Sequence, residues 1–187
     1  KRKVIMIKRG SADASGLGIH ADRSYRRRPP AFTMLYARAV PARGGETEFW
    51  SLYRLYAELD EATRDVWRRL EVEHDTTASV FAASADRGAR HPLGARHPDS
   101  GRQLVYASPH YARRVIGVGR EESDGILRRI ASALGRPDVV HHWRPHDLLV
   151  WDNRAAAHRA TPYDATERRE LWRLSIALAP APTCEAP

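Results

Sequence analysis

The feature that most constrains this chain is a histidine and an aspartate separated by one residue, His20 and Asp22, with another histidine, His158, far downstream. In a β-strand or its immediate extension, residues i and i+2 project to the same face, so His20 and Asp22 can hold one ion from one side. His158 can close the set if the fold brings it to that face. Two neutral imidazoles and one carboxylate leave the opposite coordination positions open, as in non-haem Fe(II) oxygenases.

Alone, the His-x-Asp pattern is a weak signal. A surface histidine beside a solvated aspartate explains most such triplets. A zinc hydrolase built on the same three residues is also conceivable, but the sequence supplies no convincing general base.

Further motifs accompany these residues at both ends of the chain. They are Arg28-Pro29-Pro30, Leu35-Tyr36-Ala37 and Gly44-Gly45-Glu46-Thr47-Glu48-Phe49, followed by Trp143-Arg144-Pro145-His146-Asp147, Val150-Trp151-Asp152-Asn153-Arg154, Arg168-Arg169 and Trp172-Arg173. In this order and spacing they resemble the taurine dioxygenase/TfdA-like family of Fe(II)- and 2-oxoglutarate-dependent oxygenases. The resemblance extends from about Lys3 to Ala179.

The resemblance implies a mainly β fold with flanking helices, whose core is a double-stranded β-helix of the jelly-roll, cupin-like type. It implies that His20, Asp22 and His158 hold Fe(II), that 2-oxoglutarate is bound beside the metal, and that O2 is a co-substrate. Halogenases of this chemistry lack the carboxylate ligand. Because Asp22 is present, the resemblance favours hydroxylation or another oxidative outcome, with release of succinate and CO2.

Two residues are expected to bind 2-oxoglutarate. Thr47 stands where the family's threonine donates to a carboxylate oxygen of the cofactor, although β-propensity alone is another explanation for a threonine in a strand. Arg169 is expected to hold the distal carboxylate, because a planar guanidinium matches a carboxylate with two hydrogen bonds. Arg168 and Arg154 are the alternatives, and both could simply face solvent.

Three residues are expected to contact the substrate. Ser79 and Arg173 match positions that contact substrate in the family's taurine dioxygenases, and Val80 replaces a phenylalanine beside the serine. The smaller side chain suggests a roomier pocket, and Arg173 suggests a small substrate with an anionic group. The small and polar stretch 76–90 is expected to be a mobile lid or a shortened remnant of one.

The net charge of +8 and the pI of about 10.1 raise the question of nucleic-acid binding. The arginines are scattered among carboxylates, and the cluster Arg26-Arg27-Arg28 lacks interleaved aromatic residues. We therefore expect no nucleic-acid partner. An arginine-rich composition, or a funnel for anionic ligands, explains the charge, and a non-catalytic basic binding module that keeps the oxygenase fold is the alternative function.

The remaining expectations concern organisation and location. The 187 residues suit one oxygenase domain over 1–179, which looks as if it lacks the family's N-terminal segment, followed by a disordered tail over 180–187. No apolar run approaches the length of a membrane span. A single cysteine, Cys184, fits a reducing cytoplasm, and the sequence leaves a homo-oligomer open.

Periodicity and turn residues predict the secondary structure. The expected strands lie at 4–7, 31–40, 103–107, 146–153 and around 171–176, and the expected helices lie within 51–70, in two pieces with Asp60 as a cap, and from Glu121 to Gly135. His74 is adjacent to Asp75, and His141 is adjacent to His142, which is poor spacing for two ligands of one ion. His91 and His97 each precede a proline. We therefore expect His74, His91, His97, His141 and His142 to be structural or on the surface.

Overall fold

The computed structural model describes residues 5–8, 18–76 and 88–177. The strands in these ranges are β1 (Ile5–Lys8), β2 (Phe32–Ala39), β3 (Thr47–Ser51), β4 (Glu71–Asp75), β5 (Gly88–Pro92), β6 (Gly94–Arg96), β7 (Gln103–Val105), β8 (Ala112–Ile116), β9 (Val139–His141), β10 (Leu148–Asp152), β11 (Ala156–Ala160) and β12 (Glu170–Ile176). The helices are α1 (Leu52–Ala57), α2 (Glu61–Trp67) and α3 (Arg120–Leu134).

Two antiparallel sheets carry the residues of interest. The first has the strand order β1-β12-β2-β10, and the second has the order β11-β3-β9. Phe49 of β3 packs edge-on against Trp151 of β10, with 5.4 Å between the ring centroids, so the two sheets share an apolar interior. The fold is the mainly β jelly roll that the sequence predicts.

The alternation of side chains in β2 follows the expected pattern. Thr33, Leu35 and Ala37 are buried on one face, while Met34 and Tyr36 on the other face are partly exposed. Strand β10 lies beside β2 with Trp151 opposite Thr33. A polar residue therefore occupies an inward position of an otherwise apolar face.

The helices begin and end close to the predicted residues. Ser51 caps α1 through a hydrogen bond to the Arg54 N–H, and Asp60 caps α2 by accepting from the Thr63 N–H. Helix α3 opens with two acidic residues and is followed by Gly135 at positive φ. These helices cover a large apolar cluster that includes Trp50 and Tyr106.

Several expectations meet the limits of the described ranges. Residues 88–90, which we placed in the lid, belong to β5, because they pair with β4 in an antiparallel ladder. The rest of the predicted lid over 77–87 and the tail over 180–187 lie outside the described residues. Within the described residues, no helix is both long and apolar enough to cross a membrane.

A candidate metal centre between the chain ends

Two histidines from distant parts of the sequence are joined by backbone hydrogen bonds. The His20 N–H donates to the His158 carbonyl at 2.9 Å, and the His158 N–H donates to the His20 carbonyl at 2.8 Å. His158 lies in β11, which is paired with β3. The reciprocal bonds place the two imidazole rings 4.4 Å apart between centroids.

Asp22 completes the cluster. Its Oδ1 atom lies 3.5 Å from His20 Nε2 and 3.7 Å from His158 Nε2. The relative exposures of His20, Asp22 and His158 are 7%, 3% and 6%, and their candidate ligand atoms all lie within 4.8 Å of one another. The structure thus brings together the three residues that the sequence predicts as ligands.

The protonation states at this site suit a cation. Burial opposes ionisation of Asp22, but the Arg173 guanidinium and the two imidazoles hold the pKa of its carboxyl well below the usual range. Burial, together with the neighbouring His20, lowers the pKa of His158 to about 3. A charged carboxylate and a neutral imidazole are the forms that coordinate metals.

The outer nitrogen of each imidazole has a different environment. His20 Nδ1 lies 2.7 Å from the Gly18 carbonyl oxygen, which can only accept, so Nδ1 carries the proton and Nε2 presents its lone pair towards Asp22. His158 Nδ1 is buried and has no hydrogen-bond partner among the described residues. Only one of the two rings is therefore held in place by a backbone acceptor.

Thr47 is buried at the start of β3. Its hydroxyl oxygen accepts a hydrogen bond from the Trp143 indole N–H at 3.0 Å. An indole N–H can only donate, so the Thr47 hydroxyl keeps its own proton for another acceptor. This arrangement suits a hydroxyl that donates to a ligand carboxylate.

Arg169 is also buried, and the turn at Gly44 and Gly45 holds it. Its Nε and Nη2 atoms donate to the Gly45 carbonyl at 3.3 and 3.1 Å. Gly45 has a φ of 73°, and a Cβ added there would lie 3.0 Å from Arg169 Nε, so the turn requires glycine on both counts. Burial lowers the pKa of Arg169, and the end of the guanidinium that faces away from Gly45 can still grip a carboxylate.

Arg173 projects from β12 towards the cluster, and its Nη2 lies 2.6 Å from Asp22 Oδ1. Two further cationic groups are close. Burial is the largest cause that lowers the pKa of Arg23, and the nearby Arg26 and Arg173 lower it further. One carboxylate, Asp22, therefore stands among several guanidinium groups, which leaves an excess of positive charge beside the candidate metal position.

Comparison with known proteins agrees with this geometry. The family model described as taurine catabolism dioxygenase TauD, TfdA family, matches residues 4–175. The chain belongs to this family. Two curated members of the TauD/TfdA family illustrate the likeness: pentalenolactone F synthase from Streptomyces arenae is 31% identical over 185 residues, and alpha-ketoglutarate-dependent 2,4-dichlorophenoxyacetate dioxygenase from Burkholderia sp. (strain RASC) is 32% identical over 166 residues.

These alignments cover 87% and 82% of this chain but 62% and 56% of the respective relatives. The chain thus spans somewhat less than two thirds of the length of the curated TauD/TfdA relatives it matches. Solved structures agree on the fold. AAD-2 in complex with Mn(II) and N-oxalylglycine has a TM-score of 0.82 at 29% identity, covering 91% of this chain and 72% of that one. A taurine dioxygenase from Burkholderia xenovorans has a TM-score of 0.83 at 27% identity, covering 97% and 66%.

The other residues predicted for a TauD/TfdA site have different outcomes. Ser79 and Val80 lie outside the described residues. Arg154, an alternative to Arg169, does not face solvent: it is buried in ion pairs with Asp152 and Asp99. Arg168, the other alternative, is largely exposed and pairs with Glu170.

The sequence did not reveal the residues that support Asp22 from behind. Thr33 donates a hydrogen bond to Asp22 Oδ2 at 2.5 Å, and Asn153 donates to the Thr33 hydroxyl at 2.8 Å. The available signal was a threonine on the inward, apolar face of β2. In the sequence, Asn153 stands out only as part of a family motif.

A second pair of buried histidines lies near the ligand-bearing segment. His74 Nδ1 and His91 Nε2 approach the Ser24 carbonyl oxygen at 3.3 and 2.7 Å. His74 Nε2 accepts from the Ser108 N–H at 3.2 Å, and the Ser108 hydroxyl accepts from the Ala21 N–H at 3.1 Å. We expected these histidines to be structural, and their hydrogen bonds tie the 20–25 segment to strands β4 and β5.

Proposed function

We propose that this protein is an Fe(II)- and 2-oxoglutarate-dependent oxygenase that hydroxylates, or otherwise oxidises, an unactivated C–H bond of a small organic acid. The observation that carries the proposal is the buried group of His20, Asp22 and His158, whose ligand atoms converge on one point. Membership of the TauD/TfdA family supports the same chemistry.

The residues present fit a divalent iron ion. Two imidazole nitrogens and one carboxylate oxygen form the facial set of non-haem Fe(II) sites. The proton on His20 Nδ1 is held by Gly18, and the low pKa of His158 keeps that ring neutral. Both rings therefore present the lone pair that a metal requires.

Bound Fe(II), with 2-oxoglutarate and O2, supplies the oxidising power for C–H attack, and succinate and CO2 are released. The work of this chain is placement. Arg169 would bind the distal carboxylate of 2-oxoglutarate through its free guanidinium end, and Thr47 would donate its unused proton to the same group. Burial of these residues keeps water away from the reacting groups.

We propose further that the substrate is anionic. Arg26 and Arg173 lie close enough to Arg23 to lower its pKa, and Arg173 contacts Asp22. Relatives are named for acidic compounds, including 2,4-dichlorophenoxyacetate and (S)-phenoxypropionate. A carboxylate or sulfonate would relieve the repulsion among these guanidinium groups. We also propose a cytoplasmic location, which the single cysteine supports.

The decisive test of the cofactor chemistry is anaerobic addition of Fe(II) and 2-oxoglutarate to the purified protein. We expect the weak visible charge-transfer band of the chelate. His158→Ala should abolish the band, whereas His142→Ala should retain it, because the side chain of His142 is 77% exposed. A wild-type protein that gives no band would contradict the proposal and favour the binding-module alternative.

The substrate class is tested separately by measuring succinate release with 2,4-dichlorophenoxyacetate, a phenoxypropionate and taurine, each beside an uncharged ester or amide counterpart. We expect the charged compounds to be preferred, and Arg23→Ala to raise KM for the charged compound more than for its neutral counterpart. Equal turnover of charged and neutral compounds would contradict an anionic substrate.

A further inference from the structure

The two carboxylate oxygens of Asp22 lie in different environments. Oδ1 faces the two imidazole Nε2 atoms and the Arg173 guanidinium. Oδ2 faces the opposite way and accepts a hydrogen bond of 2.5 Å from the Thr33 hydroxyl. Oδ1 therefore lies on the side of the imidazoles, where a cation could take the place of the Arg173 contact, while Oδ2 is held by the Thr33 hydroxyl.

The direction of the hydrogen bonds behind Asp22 is fixed by what each group can do. The side-chain oxygen of Asn153 accepts from the Trp151 indole N–H at 2.9 Å and from the Asp22 backbone N–H at 3.4 Å. Because both of these groups can only donate, the amide cannot be turned round, and its nitrogen must face Thr33. That nitrogen donates to the Thr33 hydroxyl oxygen at 2.8 Å. The Thr33 proton must therefore point at Asp22.

The sheet places these groups in line. Thr33 of β2 lies opposite Trp151 of β10 in the antiparallel register, and the Asn153 N–H donates to the Ala31 carbonyl at 2.8 Å. Thr33 and Asn153 have no exposed surface. Water cannot replace a missing hydrogen bond at such a position, so each member depends on its neighbour.

We propose that Thr33 and Asn153 are positioning residues that hold the Asp22 carboxylate so that it presents only Oδ1 to the metal. This role rests on the proposed metal centre. A carboxylate held in this way would offer the metal one oxygen, Oδ1, because Oδ2 is kept by the Thr33 hydroxyl. A carboxylate free to rotate would offer both oxygens and occupy one position more.

If Thr33 had a purely structural role, its removal would affect stability but not metal affinity. Valine has nearly the same shape as threonine, and the neighbouring inward residues of β2, Leu35 and Ala37, are apolar. If the hydroxyl served only the packing of β2, its removal would change stability without a specific effect on metal binding. If it orients Asp22, metal affinity falls even in a well-folded variant.

The experiment measures the Kd of Mn(II), without 2-oxoglutarate or substrate, for the wild type, Thr33→Val and Thr33→Ser, together with the Tm of each. We expect Thr33→Val to bind Mn(II) about 10–100-fold more weakly, as is typical when the partner of a ligand is lost. Thr33→Ser keeps the hydroxyl and should restore most of the affinity. Asn153→Ala should also weaken binding, and Trp151→Phe, which removes only the outermost donor, should weaken it least.

Ser123→Ala is the matched control, because Ser123 carries a buried hydroxyl in α3 that accepts from the Val115 N–H and makes no hydrogen bond to the cluster among the described contacts. It should lower Tm without changing the Kd of Mn(II). Equal Mn(II) affinity in Thr33→Val and the wild type would overturn the role of Thr33. Should Thr33→Val fail to fold, equal affinity in Asn153→Ala and the wild type would overturn it. A wild type that binds no Mn(II) would overturn the metal centre itself.

Discussion

Two pairs of buried histidines lie close together in this protein, and they are built for different purposes. His20 and His158 face a carboxylate, and their Nε2 atoms approach Asp22 Oδ1. His74 and His91 face a backbone carbonyl, that of Ser24. Both nitrogens of His74 are engaged, one as a donor and one as an acceptor from the Ser108 N–H.

The difference between the pairs concerns charge and lone pairs rather than burial. The Ser24 carbonyl oxygen accepts the N–H groups of two neutral rings. The other nitrogen of His74 accepts from the Ser108 N–H, which leaves His74 no lone pair for a cation. A carboxylate brings a negative charge and leaves imidazole lone pairs free to coordinate. Neighbouring buried histidines alone are therefore insufficient evidence for a metal site.

The strongest way to break this comparison is to remove the carboxylate. Asp22→Ala should weaken Mn(II) binding by at least about 100-fold, more than the loss of a ligand's hydrogen-bond partner, and should abolish succinate release. His74→Gln should retain metal binding in the folded protein. Retained turnover in Asp22→Ala would show that the two pairs do not differ as we describe.

Acid pH should destabilise the protein through the buried histidine pair His74 and His91, and chiefly through His74. Burial lowers the pKa of His74 from its ordinary value of 6.5 to about 3. Between these values the unfolded chain binds a proton that the folded chain excludes, so stability falls as the pH falls. The slope is about 1.4 kcal/mol per pH unit for one histidine. Urea titrations from pH 7 to pH 4 should give a flatter dependence for His74→Gln, and an unchanged slope would contradict this assignment.

Removal of one donor from the Ser24 carbonyl should affect stability more than function. His91→Phe deletes the 2.7 Å hydrogen bond and should lower the free energy of unfolding by about 1–3 kcal/mol, since a buried acceptor loses a partner. His74 still holds the carbonyl, so the Kd of Mn(II) should change by less than about 10-fold. Denaturant unfolding measures the loss of stability, and Mn(II) titration measures the Kd. A Kd that rises as much as in Asp22→Ala would contradict the distinction between the two histidine pairs.

The smallest expected effect concerns the outer anchor of His20. A Cβ at Gly18 would lie 2.4 Å from His110 Nδ1, so Gly18→Ala must displace either that ring or the carbonyl that holds His20. We expect Mn(II) binding to weaken several-fold. His110→Ala in the same protein should restore it, with a coupling of about 0.5–3 kcal/mol. Purely additive effects of the two substitutions would contradict a clash at this point.

The sequence predicted the parts of the molecule whose signals are local. Alternation predicted β2, apolar periodicity with the Asp60 cap predicted α1 and α2, and motif spacing indicated the His20, Asp22 and His158 cluster that the structure brings together. Residues that act through partners distant in sequence were missed. Thr33 gains its meaning only from Asp22 and Asn153, and no local pattern distinguishes it from an ordinary strand threonine.

The same limit applies to Arg154 and to residues 88–90. The burial of Arg154 depends on Asp152 and on Asp99 of a separate turn, which a sequence pattern does not reveal. Residues 88–90 are small and polar, yet they form a strand because β4 offers them an edge. Tertiary pairing overrode local propensity at both positions.

The reciprocal backbone bonds between His20 and His158 also have a kinetic consequence. They join residues that are distant in sequence, so their formation carries a large loop-closure cost, and we expect them to form late in folding. A metal ion held across this junction would add its stabilisation after the transition state. We therefore expect bound metal to slow unfolding while leaving the refolding rate nearly unchanged.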